Sequence, residues 1–255
     1  AVWEKYLSKE EWEEADARLV REGDTHWKRE ASVKETWEIS IDGVIMKISC
    51  TDFGHLGVFP EHATLWPQLR TIISDAVAKR KEPVNILNLF AYSGGATIMA
   101  AQEGAHVCHV DASKGMVAWA RDNAGRNKLS KAPIRWIVDD VRKFMKRELR
   151  RGKSYDAIIL DPPSFGRGRQ GEVFKIEEDL KNIMALCRDL MSENPLFMLL
   201  SCHTPGYTPQ VLKNIATQTM QKKVGKVEGD EMKIYPEKEG YPLPSGGYAL
   251  WRHDV

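Results

Sequence analysis

The sequence predicts an α/β fold: a mostly parallel sheet with crossover helices, completed by an antiparallel carboxyl-terminal hairpin and preceded by a small amino-terminal β-hairpin extension. Three observations predict it. Apolar runs at 84–89, 106–110, 134–138 and 155–160 alternate with stretches of helical spacing, the pattern that parallel strands and crossover helices produce. The first run ends Asn88-Leu89-Phe90 and passes into a glycine turn, Ala91-Tyr92-Ser93-Gly94-Gly95-Ala96-Thr97. The fourth ends on Asp161-Pro162-Pro163-Ser164-Phe165, which puts a carboxylate and two rigid prolines at the carboxyl edge of the sheet, where such folds bind ligands.

The elements follow in order. Residues 1–36 are polar and studded with tryptophan, and predict one helix around 9–21 followed by a loop. Next, Asp42-Gly43 joins two alternating runs, 37–41 and 44–48, the strongest short-range signal for a β-hairpin. Trp37, Ile39, Ile41, Val44, Met46 and Ile48 share a face and should lie on something apolar. Gly54-His55-Leu56-Gly57-Val58-Phe59-Pro60-Glu61-His62 is too rich in special residues for a plain connector and predicts a pocket-lining loop. Leu65, Leu69, Ile72, Ile73 and Ala76 then keep helical spacing. Beyond the first strand, helices are predicted at 96–103, 114–123, 141–149, around 176–190 and at 209–221, with a further strand at 196–201. The runs 224–234 and 248–251, joined by a Pro- and Gly-rich segment, predict the closing hairpin. The chain divides on this reading into an extension, 1–82, and a main domain, 83–255.

With 255 residues, 42% of them hydrophobic, the chain can fill one large core. Net charge is +1, from 37 basic and 36 acidic residues. The balance hides an acidic first 40 residues and a basic segment, Arg142, Lys143, Lys146, Arg147, Arg150, Arg151 and Lys153, with Glu148 its one acid. Such a segment either meets a phosphate backbone or is a solvated helix face. Cys50, Cys108, Cys187 and Cys202 are scattered, without the spacing of a zinc site or a disulfide framework. No run approaches a membrane span, so a cytoplasmic protein is expected. His55, Glu61 and His62 lack any recognised ligand spacing, and no metal is expected.

A glycine turn after the first strand lets backbone approach a ligand near a helix amino end. The G-x-G-x-x-G fingerprint of pyrophosphate binding is absent, which argues against NAD. Asp111, ending the second strand, is placed for ribose hydroxyls. Asp140, after the third, is placed for an adenine amino group or, alternatively, as the N-cap of the helix beginning at Val141.

With Asn88 to Gly94, Val110-Asp111-Ala112-Ser113, Asp139-Asp140-Val141 and Asp161 to Phe165 in order, the chain resembles class I S-adenosylmethionine-dependent methyltransferases and their Rossmann-like sheet. More narrowly it resembles bacterial 23S ribosomal RNA methyltransferases that include the cytosine-5 enzymes, in a short branch with the Gly-His-x-Gly-x-Phe-Pro-Glu loop. Longer relatives carry an amino-terminal RNA-binding domain. The resemblance implies S-adenosylmethionine as cofactor, held by Asn88, Phe90, Ala91, Tyr92, Gly94, Asp111, Ser113, Asp140, Val141 and Asp161. It implies a ribosomal RNA substrate, with Pro162, Phe165, Arg167 and Arg169 at its binding surface.

The reacting atom depends on a thiol. Carbon 5 of cytosine is a poor nucleophile until a cysteine adds to carbon 6, which needs a cysteine beside Asp161. Cys202, in Ser201-Cys202-His203 at the end of the next strand, resembles the Ser-Cys of the cytosine-5 family and is the favoured nucleophile, with Asp161 as its catalytic partner. The alternatives are attack by a base nitrogen without a thiol, aided by Asp161, Pro162 and Phe165; methylation of a protein or small molecule; and an RNA-binding module with an inactive cofactor fold.

Overall fold

The computed structural model describes residue 4 and residues 7–21, 26–51, 54–168, 171–237 and 239–254. Helix α1 (Lys9–Glu13) begins at a capping box in which Ser8 accepts from the Glu11 amide and the Glu11 carboxylate accepts from the Ser8 amide. It is shorter than its sequence predicts because none of its residues is buried, and an isolated helix of this length gains no stability from packing. The remainder of the predicted helix is instead strand β1 (Ala17–Val20), paired antiparallel with β2 (His26–Arg29), and Trp27 Nε1 anchors the pair by donating to the Thr51 carbonyl.

The Asp-Gly hairpin forms as expected. β3 (Thr36–Ile41) pairs with β4 (Val44–Ser49), Ile39 opposite Met46 and Ile41 opposite Val44, and Asp42 and Gly43 adopt the positive φ values that such a two-residue turn requires. A short 3-10 turn (Pro60–Thr64) follows the pocket-lining loop, then α2 (Trp66–Lys79), β5 (Asn85–Leu89), α3 (Gly95–Gln102), β6 (His106–Asp111), α4 (Lys114–Arg126), β7 (Ile134–Val138), α5 (Val141–Arg150) and β8 (Ala157–Leu160). After β8 come β9 (Phe165–Arg167), β10 (Val173–Lys175), α6 (Ile176–Leu190), β11 (Phe197–Cys202), α7 (Pro209–Met220), β12 (Lys226–Glu228), β13 (Glu231–Ile234) and β14 (Leu243–Arg252).

The main sheet runs β12-β14-β11-β8-β5-β6-β7. Strands β7, β6, β5, β8 and β11 are parallel, and β14 is antiparallel to β11. The first strand of the parallel set lies in its middle, so strand order reverses between β5 and β8. Their carboxyl ends carry Phe90 and Asp161, which therefore face each other across a switch point.

Period-2 alternation builds two cores. Leu87, Leu89, Val110, Ile158, Leu160, Leu200 and Cys202 pack with Phe144, Ile183 and Leu212 from α5, α6 and α7. On the other face Ile86, Val107, Ile159 and Leu199 pack with Leu69, Ile98 and the hairpin residues Val44, Met46 and Ile48. The hairpin's β4 lies against α4 and α3, where Trp119 Nε1 donates to the Lys47 carbonyl and the Lys47 amide donates to Asn123 Oδ1.

Two further segments differ from the sequence reading. The run 224–234 is two strands, both paired with β14. The break falls at Gly229 and Asp230, and the absent side chain of Gly229 lets the backbone approach the Tyr248 carbonyl, which an added Cβ would meet at 2.4 Å. The segment after Asp161-Pro162-Pro163, for which the sequence patterns give no strand, forms the two-stranded ribbon β9/β10. Among the described residues no helix is long and apolar enough to cross a membrane.

Candidate active site

The turn after β5 is strained. Phe90 and Tyr92 hold φ of +54° and +48°, each costing about 1–3 kcal/mol for a residue with a side chain. Three hydrogen bonds hold it: Ala91 N to the Val110 carbonyl, Gly94 N to the Ala91 carbonyl, and Tyr92 N to Asp111 Oδ2 at 2.9 Å. Gly94, at φ +90°, packs where a Cβ would lie 2.9 Å from that of Ala120.

Asp111 also accepts from Ser113 N at 2.8 Å through Oδ1, and burial raises its pKa above the usual carboxylate value despite these two bonds. Each oxygen keeps capacity to accept a further hydrogen bond, and Asp111 lines the cavity. Ser113 caps α4. Asp140 caps α5 by accepting from Lys143 N at 3.0 Å and pairs with Arg142; the capping alternative is therefore realised, while Asp140 and Val141 still line the same cavity as Asp111.

This cavity, about 800 Å3, is walled by Phe90, Tyr92, Asp111, Ser113, Asp140 and Val141 on one side and by Asp161 to Ser164 and the β9/β10 ribbon on the other. His55 and Phe59 of the pocket-lining loop also face it, as expected for that loop. A second, smaller cavity beneath the glycine turn is lined by Asn88, Ala91, Gly94, His62 and Ser201. Asn88 is 3% exposed, and its amide donates to Thr97 Oγ1, which in turn meets His109 Nδ1. Volume, apolar walls and a few convergent polar groups fit a nucleoside-bearing cofactor.

At the reaction edge Asp161 Oδ1 accepts from Ser201 Oγ at 2.8 Å. His203 Nδ1 lies 3.6 Å from Oδ1, and His62 Nε2 lies 3.5 Å from Oδ2. His203 Nε2 sits 2.9 Å from Oε1 of Glu61, which is 3% exposed and also accepts from Ser245 Oγ. Burial opposes charge on all three groups; the mutual ion pairs outweigh it, holding Asp161 and Glu61 below the usual carboxylate range and pushing His203 up to about 10. The grouping of His55, Glu61 and His62 weighed from sequence does not assemble: His55 packs against Phe59, and Glu61 turns to His203. Glu61, His62 and His203 were missing from the site residues expected from sequence. The loop motif signalled the first two; His203 carried no signal, because its partner is 142 positions away.

The stability linkage of this cluster has a definite sign. His203 moves from an ordinary 6.5 to about 10, so its contribution is complete below about pH 6.5 and is lost as pH rises through about 10; those of Glu61 and Asp161 are lost as pH falls below the usual carboxylate range. Melting temperature measured from pH 7 to 10.5 should therefore fall more steeply for the native chain than for His203→Gln. Parallel curves would remove the imidazolium from the account.

Cys202 ends β11 on the expected edge, but its side chain lies on the opposite sheet face from Ser201, as successive strand residues do. It is 1% exposed within the α6/α7 core, accepts from Thr204 N, and burial raises its pKa. The cavity wall passes from Asp161 to His203 and Thr204 without it. Pro162 and Arg167 line the cavity. Phe165 does not: it is 51% exposed on the ribbon, with the Arg167 guanidinium 5.8 Å above its ring, and Phe174 packs against Phe90 instead. Arg169 lies outside the described residues.

The basic segment is less free than its sequence suggests. Arg142 pairs with Asp140 and Asp179, Lys143 with Glu172, Arg147 with Asp139, and Arg151 and Arg135 converge on buried Glu148. Four of the segment's seven cations thus face carboxylates, Glu148 within it and Asp139, Asp140, Glu172 and Asp179 outside it.

A family model of S-adenosylmethionine-dependent methyltransferases matches residues 16–228. The chain belongs to this family. The S-adenosylmethionine-dependent methyltransferase from Agrobacterium tumefaciens superposes with a TM-score of 0.92 at 34% identity, covering 99% of this chain and 81% of that one. A putative methyltransferase from Streptococcus mutans, at 22% identity and a TM-score of 0.68 over 89% of this chain and 58% of that one, shares the fold. Ribosomal RNA large subunit methyltransferase K/L of Colwellia psychrerythraea is 30% identical over 164 residues, and that of Stutzerimonas stutzeri 35% identical over 164. Each alignment covers 64% of this chain, which spans about a fifth (21%) of the length of these relatives. The cofactor is S-adenosylmethionine.

Proposed function

We propose that this chain transfers the methyl group to a nitrogen of a base in large-subunit ribosomal RNA, with no covalent cysteine step. The observation that carries the choice of atom is the burial of Cys202 on the far face of the sheet. The names of the Colwellia and Stutzerimonas relatives support the substrate class.

The cofactor supplies an electrophilic methyl on a sulfonium. The chain's own residues have to align a nucleophile with it and exclude water. In this reading Asp111 accepts from the ribose hydroxyls, Asp140 and Val141 border the adenine, and the glycine turn holds the amino-acid end. Asp161, fixed by Ser201 and kept ionised by its imidazole neighbours, accepts from the target base beside the rigid Pro162-Pro163. Arg167 lies on the ribbon where the nucleotide enters.

A Cys202→Ala variant tests the proposal directly. Turnover on ribosomal RNA from a strain lacking the gene should stay within about threefold of the native rate, the modest effect of a residue outside the reaction path. RNA carrying 5-fluorocytosine should trap no adduct, and mass mapping should place the methyl on nitrogen. Abolished turnover in a folded variant, together with a trapped adduct, would return the assignment to carbon 5.

A further inference from the structure

Asp161 sits between two imidazoles. His203 Nδ1 lies 3.6 Å from its Oδ1 and His62 Nε2 lies 3.5 Å from its Oδ2, and one donor atom from each of the three residues falls within 4.8 Å of the other two. An ion-pair cluster accounts for His203, which both Glu61 and Asp161 face. It does not account for His62. Its Nε2 is buried and makes no hydrogen bond among the described residues, although Asp161 is adjacent. A buried polar atom without a partner calls for a specific cause. A ring nitrogen turned toward a carboxylate and a second imidazole, bonding to neither, is what a ligand looks like when its lone pair points at a shared centre.

We propose that His62, His203 and Asp161 form a binding site for a divalent transition cation of the zinc class. Donor type selects the metal: two imidazoles and one carboxylate suit zinc and its first-row neighbours, whereas magnesium and calcium take oxygen ligands. Zinc bonds of about 2.1 Å give a tetrahedron with edges of about 3.4 Å, close to the contacts of 3.5 and 3.6 Å. A rotation of the imidazoles that shortens a separation of at most 4.8 Å completes the shell. The surroundings fit the same reading. A metal-bound imidazole usually donates its other N–H to a carboxylate that fixes the ring and its tautomer. His203 Nε2 lies 2.9 Å from Oε1 of buried Glu61, and Ser245 Oγ donates to the same oxygen, so Glu61 is a positioning residue for His203. The imidazole planes are inclined by 25°, and the Phe59 ring packs against both. The cation takes the place of the proton that His203 otherwise keeps beside Asp161, and that proton leaves to solvent. Three protein ligands leave a fourth position for water or a substrate atom. It falls on the wall between the large cavity, lined by Asp161 and His203, and the small one, lined by Asp161 and His62. The donors come from the 3-10 turn, the residue after β8 and the residue after β11, so no short ligand motif announces them.

The test needs neither RNA nor cofactor, so its outcome is independent of the methyl acceptor proposed above. The full chain, carrying no polyhistidine tag and stripped with a chelator, is titrated with Zn2+ by calorimetry and with Co2+ by visible absorption. One ion should bind per chain. Cobalt should give the intense bands of a low-coordinate site, zinc should bleach them, and Mg2+ should not. Glu61→Gln, which touches no metal, should weaken zinc by about 10- to 100-fold, the usual loss when an outer-shell partner is removed. His62→Gln and His203→Gln should weaken it by at least as much. His55→Ala, in the same loop but outside the donor set, should leave the affinity unchanged. Variants are compared only where their circular dichroism matches the native chain, and the native titration needs no variant. Absence of a one-to-one zinc complex with the native chain would overturn the proposal, as would zinc binding that both histidine variants leave unchanged.

Discussion

Asparagine at Asp161 is expected to lower turnover by about 100- to 1,000-fold, the loss that follows removal of one preorganised polar group at a reacting centre. The substitution keeps the shape and can still accept from Ser201 Oγ, whose bond to Oδ1 fixes the side chain. What it removes is the charge. His203 and His62 both face that charge, and a target base would lose its strongest acceptor. Cofactor affinity should fall much less than turnover, because Asp111, Asp140 and Val141, the proposed adenosine contacts, line the cavity apart from Asp161. A spectroscopic marker separates this from a folding defect: with one of its two carboxylates gone, His203 should titrate well below its present value of about 10. Native turnover in Asp161→Asn would remove Asp161 from the reaction.

Alanine at Asp111 should weaken S-adenosylmethionine binding by about 1–3 kcal/mol, roughly 5- to 150-fold, the cost of leaving polar partners unpaired. Two effects combine. The ribose hydroxyls lose their acceptor, and the amides of Tyr92 and Ser113 lose theirs. The Tyr92 bond is one of three that hold the left-handed turn after β5, so the turn should relax. Calorimetry on a variant whose circular dichroism matches the native chain tests this. Unchanged affinity would refute the assigned ribose contact.

The cofactor edge was legible because it follows from local pattern. Period-2 apolar runs set the strands, the Asp42-Gly43 dipeptide set the hairpin, and motifs at successive strand ends had to share one edge once the strands were parallel. The mistakes came from segments whose state depends on partners. The run 9–21 carries good helix formers, yet only its first turn and a half is helical, since pairing with 26–29 gave its second half a ladder that local propensity could not reveal. The basic segment looked unbalanced because its carboxylates, Asp139, Asp140, Asp179 and Glu172, come from outside it.

By itself the sequence determined the α/β class and the order of the strands along the chain, because each depends on spacings within a few dozen residues, and its strand-end motifs carried the resemblance that implied the cofactor. Only the tertiary structure decided what surrounds Asp161. Cys202 and Ser201 are neighbours, but the pleat sends one into the α6/α7 core and the other to Asp161. Glu61, His203 and Ser245 come from the 3-10 turn, the position after β11 and β14, up to 184 positions apart, and they meet because burying a carboxylate demands donors wherever the fold can bring them. Pairing of this kind has no local period to betray it, so the electrostatics of the site became visible only when the chain was folded.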